Sequence, residues 1–275
     1  MEKVLLDVKG LGNILQRAEL HQKAVKLHIE GLGYRKIAKI LGVSKNTVNS
    51  WIYGGHNPIN RLKNIPKIEP CEELAYLCGV MMGDGYLKRK NYRIGLKARD
   101  KDFVEAFQGV LFQIFGREYK IQREDKYFYV QAKSKYFFLW LSNRKNLEKL
   151  GELYPKEFIR GFADSEGCVS LYQEKSGRTR RAIELYNTDI STLNFIAPIS
   201  RRFLGINFKL RHHKIGKKDK HVTHVLYIND RRNLAIFSEF INFSISRKRR
   251  CLEKVLTSYK RIRKDGTVIV RRTGF

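Results

Sequence analysis

Residues 77–85 read LCGVMMGDG and residues 159–167 read IRGFADSEG, one short pattern written twice. Leu77 aligns with Ile159, Gly79 with Gly161, Val80 with Phe162, Asp84 with Glu166 and Gly85 with Gly167. Each copy reads as an apolar helix with small residues four apart: Gly79 and Gly83 in the first, Gly161 and Ser165 in the second. Four apart on a helix means the same face. Two such faces let two backbones approach closely, as small-xxx-small pairs do in membrane bundles. Each helix then ends in an acid and a glycine. Taken singly, that is an ordinary helix stop with glycine as a left-handed cap. Taken as a pair, it describes one chain folded as two pseudosymmetric halves. Pressing the helices together brings Asp84 and Glu166 side by side, each at the negative end of a helix dipole, where they repel. A bound divalent cation removes both penalties.

The segments after each motif repeat as well. Strands are expected at 86–90 and 92–97, a helix capped by Asp100, a hairpin over 118–133 turning at Glu124-Asp125, and a helix over 135–141 followed by a basic connection to Tyr154. In the second half, strands at 168–173 and 181–186 precede a helix from Asp189 to Phe203. A hairpin over 207–214 and 221–228 follows, then helices at 231–241 and 247–259. Each half is therefore helix, two strands, helix, two strands, helix, an α+β fold.

The chain of 275 residues carries a formal charge of +28, which calls for a polyanionic partner. The basic residues are spread along the chain, not gathered on one amphipathic helix, which favours nucleic acid over a membrane surface. No run approaches 18 apolar residues and the N-terminus has no long apolar stretch, so neither a membrane span nor a leader is expected. The four cysteines form no CxxC pair and read as reduced thiols. Cytoplasmic placement is expected, nucleoid-associated, with an organelle as the alternative.

Residues 34–52, YRKIAKILGVSKNTVNSWI, fit two short helices meeting at Gly42, with Ala38 and Val48 at the approach and Ser44 as N-cap. This resembles a DNA-binding helix-turn-helix. Lys45, Asn46, Thr47 and Asn49 would face the major groove, and an upstream helix over 21–30 would complete a three-helix unit. Residues 54–70 hold three of the five prolines and read as a linker, with Arg61, Lys63 and Lys67 as phosphate contacts.

The paired motif resembles the LAGLIDADG family of homing endonucleases in its single-chain, two-motif form, over roughly residues 71–258. The expected domains are a helix-turn-helix at 1–56, a linker at 57–70, the first half at 71–153, the second at 154–259 and a basic tail at 260–275. The resemblance implies a saddle of two αββαββα halves over duplex DNA, a monomer, and hydrolysis of both strands of a long asymmetric site with short 3′ overhangs. Asp84 and Glu166 would hold Mg2+, or Mn2+, with backbone carbonyls of the motif ends at Gly83 and Ser165. The family places a Gln or Lys at the end of the second strand of each half. That points to Arg99, with Lys97 as the near alternative, in the first half. In the second half it meets Asn187 and Thr188, neither basic. A basic residue before the last helix makes Lys248, with Arg247 beside it, the second candidate. Apolar and basic residues alternate in 208–211 and loosely in 120–122; the saddle that the resemblance implies then makes Arg89, Lys90, Arg93, Lys120, Gln122, Arg123, Arg178, Arg180, Lys209 and Arg211 the candidates for its DNA surface. An RNA-splicing maturase binding intron RNA and a non-catalytic transcription regulator are the competing readings.

Overall fold

A computed structural model of the chain describes residues 11–58, 66, 68–213, 222–259, 261–262 and 268–269. Arg61, Lys63 and Lys67, the tip of the last hairpin and most of the basic tail lie outside the described residues.

Three helices open the chain: α1 (Leu11–Ile29), α2 (Tyr34–Leu41) and α3 (Lys45–Ile52). The turn between α2 and α3 rests on Gly42, left-handed at φ 65°, and the Ser44 hydroxyl caps α3 by accepting from the Thr47 N–H at 3.1 Å. Ala24, Ile37, Ala38, Val48 and Trp51 form its core. The first helix starts ten residues earlier than expected, because Ala18, His21 and Ala24 continue one buried stripe at helical spacing.

The rest is two copies of one architecture. The first half runs α4 (Glu72–Met81), β1 (Tyr86–Lys88), β2 (Arg93–Ala98), α5 (Lys101–Phe115), β3 (Gln122–Glu124), β4 (Tyr127–Lys133), α6 (Lys135–Leu141) and α7 (Arg144–Leu153). The second runs α8 (Pro155–Glu166), β5 (Gly167–Gln173), β6 (Thr179–Asn187), α9 (Ile190–Leu204), β7 (Lys209–His213), β8 (Thr223–Ile228), α10 (Arg231–Ile236) and α11 (Ser246–Thr257), a π-type turn at Phe237–Ile241 separating the last two. A short pair, β9 (Arg261–Ile262) and β10 (Val268–Ile269), follows. The sheets are antiparallel with matching orders, β1-β2-β4-β3 and β5-β6-β8-β7. One apolar core runs through both halves, from Phe103 and Phe107 of α5 to Leu193 and Ile196 of α9.

Several local expectations are corrected. The basic connection before Tyr154 is helix α7, capped by Asn143 and burying Leu147 and Leu150. Asp100 sits at the start of α5, but its side chain makes no cap; it is taken by Arg247. The first hairpin turns at Asp125-Lys126, since Glu124 pairs with Tyr127. The motif helices end differently: α8 runs through Glu166, whereas α4 stops at Met81 and Asp84 follows in a turn. Neither motif glycine is left-handed; Gly167 has φ −82°. They are small because a Cβ on Gly85 would lie 2.8 Å from Met81 Cα, and one on Gly167 2.2 Å from the Ala163 carbonyl oxygen.

Candidate functional site

The site is built by the close approach of α4 and α8. A Cβ on Gly79 would lie 2.0 Å from the Phe158 carbonyl oxygen, and one on Gly161 would lie 2.1 Å from that of Tyr76. The helices therefore touch backbone to backbone. One turn further on, a Cβ on Gly83 would lie 2.5 Å from Ser165 Cβ and 3.1 Å from Glu166 Cγ. The small-residue stripe thus brings Gly83, Asp84, Ser165 and Glu166 to one place.

The two acids there are strained as anions. Burial, and then the neighbouring Asp84 carboxylate, push Glu166 up to about 7, against a smaller opposing pull from Lys248. Asp84 is exposed at its outer side, and partial desolvation by the cleft raises it, again against Lys248. Lys248 stands at the site, but its ammonium is committed: it donates to the carbonyl oxygens of Ala163 at 3.1 Å and Asp164 at 2.5 Å. It closes the C-terminal turn of α8, where carbonyls otherwise lack partners. The Ser165 carbonyl is the next in that turn. Burial lowers the pKa of Lys248, with Asp164 the main opposing charge.

Arg99 is engaged by an aromatic side chain. Its guanidinium lies 5.5 Å over the Tyr127 ring, at the β3–β4 hairpin, and holds the Tyr127 phenol below its usual range. At the corresponding end of the second half, Asn187 Nδ2 donates to the Met82 carbonyl at 3.5 Å, so the end of β6 reaches the first motif.

Sequence reasoning missed Asp164, which is 1% exposed. It accepts from the Tyr76 hydroxyl at 2.9 Å and from the Ser244 N–H at 2.9 and 3.2 Å. It thus ties α8 to α4 and to the segment leading into α11. It also missed two matching bridges between the halves. Arg247 pairs with Asp100 before α5 at 2.9 Å, and Arg144 with Asp189 before α9 at 2.6 Å.

The register sorts the surface candidates by face. Arg93 and Gln122 share a face of the first sheet with Lys88, Lys97, Gln131 and Lys133, none of which was a surface candidate. Arg123 falls on the opposite face, because side chains alternate along a strand; its guanidinium lies 5.8 Å over the Phe128 ring. Arg89 and Lys90 are exposed in the β1–β2 turn, and Arg178 in the β5–β6 turn. Lys120 is exposed, before β3 begins. On the second sheet Lys209, Arg211 and Arg180 share one face. Lys209 is exposed, but Arg180 and Arg211 are both held by Glu184, at 2.7 and 2.5 Å. In α3, Lys45, Asn46 and Asn49 are exposed, while the Thr47 hydroxyl is bonded to that of Ser44 at 2.8 Å.

A helix pair touching through glycines, acids at both motif ends and two four-stranded sheets of like order define a LAGLIDADG protein. Residues 72–155 and 153–242 each match the model of the LAGLIDADG-like domain, and residues 13–52 match that of a homeodomain-like domain. The chain belongs to the LAGLIDADG family, in a two-domain form with an N-terminal helix-turn-helix. An uncharacterised protein of Methanocaldococcus jannaschii is 31% identical over 242 residues, 81% of this chain and 85% of that protein. Among solved structures, the homing endonuclease I-DmoI in complex with DNA and Ca is similar at 18% identity and a TM-score of 0.47, over 66% of this chain and 97% of that one. Full-length DUF199/WhiA from Thermatoga maritima is similar at 19% identity and a TM-score of 0.48, over 74% and 66%. Among the described residues no helix is long and apolar enough to cross a membrane.

Proposed function

We propose that the chain is a site-specific endonuclease that hydrolyses both strands of a long asymmetric duplex site with a divalent metal, leaving short 3′ overhangs. The observation that carries this reading is the pair of acids retained at both motif ends, with Glu166 pushed up to about 7. Two carboxylates held in that way call for a cation or a proton between them.

The donor set fits a hard divalent ion. Asp84 and Glu166 offer carboxylate oxygens, and the backbone carbonyls of Gly83 and Ser165 stand beside them, an all-oxygen set suited to Mg2+ or Mn2+. Among the described residues no three His, Cys, Asp or Glu side chains gather, so an ion held by Asp84 and Glu166 would need waters or DNA phosphate as further ligands. A metal held there activates water and stabilises the leaving 3′ oxygen. Lys248 keeps the end of α8 closed and supplies positive charge to both acids. The lysines and arginines of the two sheet faces bind phosphate, and a minority of side chains read bases. The helix-turn-helix adds a second contact through Lys45, Asn46 and Asn49.

The test is cleavage of a randomised DNA library in Mg2+ with the cut ends sequenced. Long enriched sites with 3′ overhangs are expected from the natural chain. Asp84→Asn is expected to lose double-strand cutting while keeping its binding in Ca2+. Cutting by Asp84→Asn at the natural rate rejects the assigned site. Tight duplex binding without metal-dependent ends points to the regulator, and preference for intron RNA to the maturase.

A further inference from the structure

The second sheet carries a buried acid in the middle of its basic face; the first carries on that face only Glu124, exposed at the end of an edge strand, where it pairs with Lys97 at 3.0 Å. Glu184, in β6, is 3% exposed. Its Oε1 accepts from Arg180 Nη2 at 2.7 Å and Arg211 Nη2 at 2.5 Å, and its Oε2 from the hydroxyls of Ser170 at 2.7 Å and Tyr186 at 3.3 Å. Burial alone would raise its pKa, but the hydrogen bonds from Arg180 and Ser170 and the two guanidinium charges outweigh it, and the net shift is downward. Arg211 also packs on an aromatic ring, its guanidinium carbon 5.2 Å from the centre of the Tyr227 ring.

The corresponding position of the first sheet is Gly95: Tyr86 pairs with Gly95 as Cys168 pairs with Glu184. A Cβ on Gly95 would lie 2.5 Å from the Tyr86 hydroxyl, so the tyrosine occupies the space that Glu184 fills in the other half. The cations on that face are Arg93, which donates to Gln131 Oε1 at 3.4 Å, and three lysines, 88, 97 and 133, whose single ammonium lacks the planar fork of arginine.

A carboxylate on a DNA-facing sheet weakens attraction to phosphate, so affinity does not explain it. Orientation does. A planar guanidinium tethered by one Nη to a buried carboxylate, with an aromatic ring against it, is restricted in the direction of its remaining Nη donors, which favours the bidentate contact that guanine O6 and N7 accept. We infer that Glu184 is a specificity-determining positioning residue that holds Arg211, and with it Arg180, as guanine-reading side chains. The second half then reads its part of the site by hydrogen bonds, and the first half grips mainly the DNA backbone. This inference rests on the proposed binding of duplex DNA, but not on cleavage.

The test is a binding selection from random duplexes by the full chain in EDTA, where cutting plays no part. The natural chain is expected to enrich a site with one or two fixed guanines, each favoured about tenfold or more over other bases. Glu184→Gln keeps the shape and removes the charge. It is expected to flatten those guanine preferences to about threefold or less, while affinity for unrelated duplex stays equal or rises, since two cations are freed. A merely structural role would lower both. Arg211→Lys, a change at a partly exposed side chain, is expected to flatten one of those positions and leave the rest, and it carries the test if Glu184→Gln fails to fold. Guanine preferences unchanged in either folded variant overturn the inference and leave the endonuclease reading standing. Failure of the natural chain to enrich any duplex overturns both.

Discussion

Glu166 and Glu184 are glutamates of the same half, and their environments move them in opposite directions. Glu166 faces Asp84 in a partly buried cleft and is pushed up to about 7; Glu184 faces two arginines and is held below its usual range. The signs decide how each contributes to stability. Glu184 stabilises the fold above the ordinary carboxylate range, and that contribution is lost as pH falls through its folded value. Glu166 behaves in reverse. Its contribution is full below about 4.5, where it is protonated folded and unfolded, and is lost as pH rises to about 7. Without metal, Glu166→Gln is therefore expected to melt a few degrees above the natural chain at pH 8, a gain of about 1 kcal/mol, and to lose that advantage near pH 4. Mg2+ is expected to raise the melting temperature of the natural chain at pH 8 and not that of Glu166→Gln. Equal melting curves at pH 8, with no response to Mg2+, would remove the electrostatic strain from the argument. Asp84 and Glu166 were legible in the sequence because the repeat marks them twice. Asp164 and Glu184 were not, because the groups that give them meaning, Tyr76, Ser244 and Arg211, are remote along the chain.

At the scale of elements, α4 and α8 are placed by their glycines. Gly79 and Gly161 each face a carbonyl oxygen of the other helix, at a distance no Cβ tolerates. Gly79→Ala must separate two backbones that also carry the acids. It is expected to cost about 3 kcal/mol or more, read as a lower urea midpoint with an unchanged slope. Gly109 is the control. It lies in α5 with nothing within 4 Å of its added Cβ, so Gly109→Ala should be neutral or stabilise by up to about 1 kcal/mol. A Gly79→Ala variant as stable as Gly109→Ala would mean that the helix contact is loose. The contact was legible from small residues four apart, and the order of strands and helices from periodicity. Helix α7 was not, because a run reading RKNLEKLGEL looks like a charged link until Leu147 and Leu150 are seen to be buried. The hairpin before it shows how little separates two readings. A turn placed at Asp125-Lys126 sets which side chains share a face, and alternation then leaves Gln122 on the basic face and sends Arg123 to the other.

The whole molecule is a two-fold frame with unequal contents. Two exposed crossing ties obey the pseudosymmetry: Arg247 to Asp100 and Arg144 to Asp189 each join the start of a late helix in one half to the residue before the central helix of the other. Inside the frame, the halves differ at the motif ends, at Gly95 and Glu184, and at the helices that close them. On the proposed function, an asymmetric reader would suit an asymmetric site, and the N-terminal helices would add to that asymmetry with a further contact. Their exposed residues in α3 are Lys45, Asn46 and Asn49, and a cavity of about 330 Å3 beside them is lined by Arg17, Asn46, Thr47 and His56. Few of these are cations, so the segment should contribute reading as well as charge. Removing residues 1–56 is expected to weaken binding to the cognate duplex about tenfold or more and to shorten the footprint on one side. It should reduce the dependence of log affinity on log salt by only about one or two units, because most of the +28 charge remains elsewhere. Metal-dependent cutting by the remaining chain should persist, since Asp84, Glu166 and Lys248 all lie beyond the deletion. A footprint of unchanged length would make the helix-turn-helix a packing accessory, and loss of cutting with binding intact would mean that it shapes the site it does not touch.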